Sequence, residues 1–113
     1  MLGVAVPAGD GGGDPEAALA LIPEADREEA AAFLDDVEHK GTAGKVHALP
    51  RPGRRPERWL FVGVGDGGEA GWRAAGAALA RKAVKEAALT VLLPATIEAD
   101  EVGGLAEGLW LAA

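Results

Sequence analysis

Short apolar runs alternate along the chain with segments whose apolar residues recur every three or four positions. Residues 2–7, 59–64 and 89–93 are almost wholly apolar, as expected for buried strands. Residues 45–49 alternate polar and apolar side chains and predict a half-exposed strand. A turn rich in proline and glycine, residues 50–56, separates this strand from residues 59–64, so we expect these two strands to pair antiparallel.

The segments between these strands have helical periodicity. Asp14 followed by Pro15 is a helix-start signal, and we expect a short helix that runs to Ile22. A second helix is predicted after Pro23, with His39 and Lys40 in its last turn and Gly41 at its end. A third helix is predicted over residues 71–87. The apolar faces of these two longer helices are Ala30, Phe33, Leu34 and Val37, and then Trp72, Ala75, Gly76, Leu79 and Ala83.

The last predicted helix is capped by Asp100 and has little stability of its own. Gly103, Gly104 and Gly108 each cost it about 1 kcal/mol relative to alanine. Its apolar stripe comprises Val102, Leu105, Ala106, Leu109 and Trp110. We predict that Trp110 packs in the core, with exposure at a seam to another domain as the alternative.

Strands that alternate with helices predict an α/β fold, a three-layer α/β/α sandwich with a mixed sheet. The chain has 113 residues, which suits a single domain over residues 1–113.

Composition excludes several classes of function. The formal net charge is −7, which argues against a general nucleic-acid binder and against docking on anionic lipid. The sequence contains no Ser, Cys, Tyr, Asn or Gln, so serine and cysteine nucleophiles, disulfides and thiolate metal sites are excluded. No apolar run has the length of a membrane span, and residues 1–6 lack the features of a signal peptide. We therefore expect a cytoplasmic protein.

A glycine motif is the first candidate for chemistry. Gly63, Gly65 and Gly68 match G-x-G-x-x-G between a predicted strand and a predicted helix, where such glycines let a pyrophosphate approach the backbone. Asp66 and Glu69, however, place negative charge beside that position, and the fingerprint's acid about 20 residues further on is missing. We predict a tight strand-to-helix turn, with nucleotide binding as the alternative.

We interpret the remaining polar residues as surface residues and not as a functional site. His39 and His47 are the only histidines and lack zinc-site spacing, so we interpret them as a helix-end charge and a side chain on an exposed strand face. The loop with Asp10 and Asp14 has fewer ligands than a calcium loop. Four arginines favour a solubilising turn that resists aggregation: Arg51, Arg54, Arg55 and Arg58. The acids of the second helix predict a solvated surface: Glu24, Asp26, Glu28, Glu29, Asp35 and Asp36.

Three blocks resemble the N-terminal domain of the leucine aminopeptidase (cytosol aminopeptidase) family. The first is GTAGK at residues 41–45, followed by a strand, a turn and WLFVGVG at residues 59–65. The second is WRAAGAA at residues 72–78. The third, LAEGLWLAA at residues 105–113, looks like the Glu-Gly-containing helix near the end of that domain. The resemblance covers most of the chain and rests on the order and spacing of the blocks.

This resemblance implies a macro-domain-like fold and a non-catalytic role in assembly. Enzymes of the family are hexameric metallopeptidases that release N-terminal amino acids from peptides, with two divalent ions, zinc or manganese, in a separate C-terminal domain. Their Asn-Thr-Asp-Ala-Glu-Gly-Arg signature is absent here, so we assign no catalytic, cofactor-binding or metal-binding residue and expect no cofactor in this segment. The implied partners are the protein's own catalytic domain and further copies of itself.

Two other functions remain open from the sequence. One is a stand-alone macro-like module that binds ADP-ribose or a nucleotide, which the glycine motif supports. The other is an interaction protein without a small ligand.

Overall fold

A four-stranded mixed sheet forms the centre of the molecule. The computed structural model describes residues 2–8, 15–54, 58–83, 89–93 and 97–112. Its strands are β1 (Leu2–Pro7), β2 (Val46–Pro50), β3 (Arg58–Gly65) and β4 (Thr90–Leu92), in the spatial order β2-β3-β1-β4. β1 pairs in parallel with β3 and β4, whereas β2 is antiparallel to β3. The four predicted strands and the predicted antiparallel pair are confirmed.

Helices cover both faces of this sheet. They are α1 (Pro15–Leu19), a 3-10 turn (Glu24–Asp26), α2 (Arg27–Asp36), α3 (Glu69–Lys82) and α4 (Ala99–Ala112). The sheet separates two apolar clusters, one beneath α1 and α2 and one beneath α3 and α4. The first is built around Trp59, Phe61, Ile22 and Leu34, and the second around Leu60, Val62, Trp72, Leu79 and Leu105. The predicted three-layer sandwich is confirmed.

α3 and α4 lie side by side at a distance that only glycine permits. A Cβ added to Gly104 would lie 2.5 Å from the Glu69 carbonyl oxygen, and one added to Gly108 would lie 2.1 Å from the Arg73 carbonyl oxygen. One helical turn along α4, from Gly104 to Gly108, moves the contact one turn along α3, from Glu69 to Arg73. The two helices therefore run parallel. Gly104 and Gly108, which weaken α4 as an isolated helix, therefore allow its backbone to pack against α3.

α2 ends earlier than predicted. Glu38 has a φ of 53°, and the His39 N–H donates to the Leu34 carbonyl oxygen at 3.1 Å. The Glu38 N–H donates to the Asp35 carbonyl oxygen at 3.2 Å, which completes a Schellman motif. Glu38 thus ends the helix instead of Gly41, and the prediction that His39 lies in the last helical turn is wrong.

The ends of α3 and α4 also differ from the prediction. α3 begins at Glu69, and its predicted extension over residues 84–87 lies outside the described residues. α4 begins at Ala99, so Asp100 is not its cap. Instead, the Glu101 carboxylate accepts the Glu98 N–H at 3.0 Å, which is half of a capping box.

Trp110 does not pack in the core, and that prediction is wrong. Its side chain is 81% exposed, and Val102 and Ala106 on the same stripe are also exposed. The buried face of α4 is set by Gly104, Leu105 and Gly108, because the smallest residues take the positions of closest approach. This choice rotates the helix and turns Trp110 towards solvent. Among the described residues, no helix is long and apolar enough to cross a membrane.

Candidate functional site

The backbone of residues 41–45 lies against the carboxyl end of β3. The Gly44 N–H donates to the Gly63 carbonyl oxygen at 3.0 Å, and the Gly65 N–H donates to the Gly41 carbonyl oxygen at 2.9 Å. A Cβ on Gly63 would lie 2.0 Å from the Thr42 carbonyl oxygen, so the contact requires glycine. The chain's own backbone therefore occupies the edge that a ligand of a parallel sheet would approach.

The rest of the glycine motif forms a tight turn, as predicted. Gly65 and Gly67 have φ values of 62° and 84°, in the left-handed region that favours glycine. Gly68 precedes α3, and no atom lies within 4 Å of where its Cβ would be. Gly71 makes the close helix–strand contact instead, since its Cβ would lie 2.0 Å from the Val64 carbonyl oxygen. Turn geometry and backbone packing thus account for Gly63 and Gly65 without a ligand.

The N-terminus of α3 is surrounded by acids. Glu69 lies in its first turn and Asp66 is exposed beside it. The Glu101 carboxylate accepts a hydrogen bond from the Trp72 indole N–H at 3.0 Å and lies 3.5 Å from the Cβ position of Gly67. A phosphate at this helix end would meet these carboxylates, which opposes its binding.

His39 and His47, assigned to separate exposed positions from the sequence, are in contact. Their Nδ1 atoms are 2.6 Å apart, and their rings meet edge to face with centroids 4.8 Å apart. His39 is only 6% exposed, and its Nε2 has no hydrogen-bond partner among the described residues. The interpretation of these residues as a helix-end charge and an exposed strand side chain is therefore wrong.

The sequence did contain a signal for this contact. His47 lies two residues before Leu49 on β2, and Leu49 packs against the apolar cluster beneath α1 and α2. Side chains two apart on a strand share a face, so His47 points towards that layer as well. The position of His39 depends on the early end of α2 at Glu38, which periodicity did not show.

The arginines at the turn also have a structural role. The Arg51 side chain is buried, and its guanidinium lies 3.0 Å from the Asp26 carboxylate and 3.3 Å from the Glu29 carboxylate. The same group stacks 4.0 Å from the centroid of the Trp59 ring. Arg54 pairs with the same two carboxylates.

The interpretation as part of a solubilising turn is wrong for Arg51, which is buried, whereas Arg54 is exposed. Asp26 and Glu29 are partly buried by these contacts, so the interpretation of these two acids as a fully solvated surface is wrong. The ion pairs of Arg51 and Arg54 with Asp26 and Glu29 connect the turn after β2 to the start of α2. Arg55 lies outside the described residues, as do Asp10 and Asp14. Arg58 is exposed at the start of β3.

Within the part of the chain that the structure describes, no group of three or more His, Cys, Asp or Glu residues could hold a metal ion. No protein-family model, curated protein or solved structure matches the chain.

Proposed function

We propose that the chain is a non-catalytic α/β domain of a leucyl-aminopeptidase-like metallopeptidase and that it supports assembly with a catalytic domain. One observation carries the proposal: the blocks on which the resemblance rests pack against one another. Residues 41–45 hydrogen-bond to β3, which contains residues 59–65. α3, which contains residues 72–78, packs between β3 and α4. These residues hold the fold together, which favours a structural role over a reactive one.

The outer face of α4 supports contact with a partner. Trp110 is 81% exposed, Leu111 is 69% exposed and Val102 is 38% exposed. Tryptophan is enriched at the energetic centres of protein interfaces, so Trp110 is the exposed residue of α4 best suited to meet a partner. We assign this face to the catalytic domain or to another copy of the assembly.

Catalysis is assigned to a separate domain because the described residues bring no set of metal-binding groups together. The sequence has no serine or cysteine nucleophile. Its two imidazoles face each other, and burial together with the positive charge of Lys45 lowers the pKa of both. The charge of Lys45 also disfavours a metal ion beside them. We therefore assign no catalytic step to this chain.

Affinity purification from the source cells tests the proposal. A tagged chain is isolated under native conditions, its partners are identified by mass spectrometry, and leucine p-nitroanilide hydrolysis is assayed with zinc or manganese. We expect a metal-dependent aminopeptidase to co-purify, and Trp110→Glu to reduce its recovery at least about tenfold, as for a central interface residue. Ala32→Glu adds the same charge at an exposed position of α2 and is the matched control. Equal losses in both variants, or recovery of the chain without a peptidase, would contradict the proposal.

The alternative, a stand-alone module for ADP-ribose or a nucleotide, is tested by isothermal titration with ADP-ribose and NAD. We expect no tight binding, because acids surround the start of α3 and backbone covers Gly63. A micromolar dissociation constant, worth about 8 kcal/mol, would favour the alternative.

A further inference from the structure

The contact between His39 and His47 joins the end of α2 to β2. His39 lies just after α2, and His47 lies on β2. Their Nδ1 atoms, 2.6 Å apart, can share one hydrogen only while at least one ring is neutral at that nitrogen. The segment between them, residues 40–46, includes the backbone that covers the carboxyl end of β3.

The surroundings of the pair disfavour positive charge on both rings. Lys45 lies close enough to repel a charge on either imidazole. The described charged side chains that line the surface cavities flanking the pair are Asp35, Glu38, Lys40 and Lys45. α1 contributes the apolar Leu19 to the cavity beside His39, and β3 places Phe61 opposite His47.

Burial, the neighbouring His47 and Lys45 together lower the pKa of His39 to about 4. Burial and Lys45 also lower the pKa of His47. Both rings are therefore neutral at pH 7. If the two histidines separate, each binds a proton at the ordinary histidine pKa of about 6.5. Acid therefore favours the open state, in which the histidines are apart, over the closed state seen in the structure.

We propose that the His39–His47 pair is an acid-sensitive latch, which holds residues 41–45 over the carboxyl end of β3 and releases them when both rings are protonated. The release would uncover the backbone of Gly63 and Gly65. This proposal does not depend on the proposed function.

The size of the effect follows from proton linkage. The pKa of His39 is about 4 in the closed arrangement and about 6.5 when the segment is open. Lowering the pH from 7 to 5 therefore shifts the equilibrium towards the open segment by a factor of about 20. Because solvent reaches the His47 side of the pair, screening reduces the expected factor to about ten.

Amide hydrogen exchange measured by NMR tests the latch in the intact chain. The reporters are the N–H groups of Gly44, Gly63 and Gly65. The reference is the Trp72 N–H, which donates to the Gly68 carbonyl oxygen at the start of α3 and not to residues 41–45. We expect the protection of the three reporters to fall about tenfold from pH 7 to pH 5 after correction for intrinsic exchange, while that of Trp72 stays within about twofold.

A pair of lysine variants identifies the cause. Lys45→Met removes a repelling charge that adds to the effect of burial, which raises both histidine pKa values and should make the loss of protection smaller than in the parent chain. Lys82→Met, at an exposed position in the last turn of α3, should leave the tenfold loss unchanged. The latch is overturned if the reporters keep their protection at pH 5, if Trp72 loses as much protection as they do, or if Lys45→Met behaves like Lys82→Met.

Discussion

The contact between α3 and α4 gives opposite expectations for two glycines of one helix. In an isolated helix, replacing glycine by alanine stabilises by about 1 kcal/mol. At Gly103 no atom lies within 4 Å of the new Cβ, so Gly103→Ala should retain this gain. At Gly108 the new Cβ would lie 2.1 Å from the Arg73 carbonyl oxygen and 2.9 Å from the Ala77 nitrogen. The same substitution should therefore destabilise the protein at Gly108.

The magnitude at Gly108 follows from what must move. Both obstructing atoms belong to the backbone of α3, so the overlap is relieved only when the helices separate. Separation also loosens the contact at Gly76, whose Cβ position lies 2.3 Å from the Leu105 carbonyl oxygen. Overpacking of this kind costs about 1–3 kcal/mol, and we expect a net loss of about 2 kcal/mol for Gly108→Ala.

Urea denaturation followed by far-ultraviolet circular dichroism measures both variants against the parent chain. We expect the midpoint of Gly103→Ala to rise and that of Gly108→Ala to fall, with similar slopes. If Gly108→Ala were as stable as Gly103→Ala, the close parallel packing of α3 and α4 would be refuted.

Two further predictions concern residues whose environments differ from the sequence-based expectation. Trp110→Ala should change the free energy of unfolding by less than about 0.5 kcal/mol, because the ring is exposed, whereas a loss near 3 kcal/mol in the same denaturation assay would place it in the core. Arg51→Met should cost about 2–3 kcal/mol, since it removes a buried guanidinium from Asp26 and Glu29, while the exposed Arg54→Met should cost less than about 1 kcal/mol. Equal losses in thermal or urea unfolding would contradict the separate roles of the two arginines.

The sequence predicted the layers of the fold because apolar runs and helical stripes record burial directly. The apolar run of residues 59–64 correctly predicted a buried strand, and the stripe through Trp72, Ala75 and Leu79 correctly predicted the buried face of α3. The turn of glycines after β3 was likewise expected.

The sequence-based predictions are wrong where small or charged residues determine the packing. Hydrophobicity favoured Trp110 over Gly104 and Gly108 for the buried face of α4, but close backbone approach selected the glycines. Arg51 was assigned to the surface because its partners, Asp26 and Glu29, lie 25 and 22 residues earlier in the chain. Periodicity carries no information on such long-range pairs.

Hydrolysis of leucine p-nitroanilide, with zinc or manganese added, tests most directly whether this chain contributes structure without chemistry to a metallopeptidase. The isolated chain and the native assembly purified through it are assayed side by side. We expect no turnover by the isolated chain and metal-dependent turnover by the assembly. Activity that remains with the isolated chain through successive purification steps, or an assembly without activity, would contradict the proposed role.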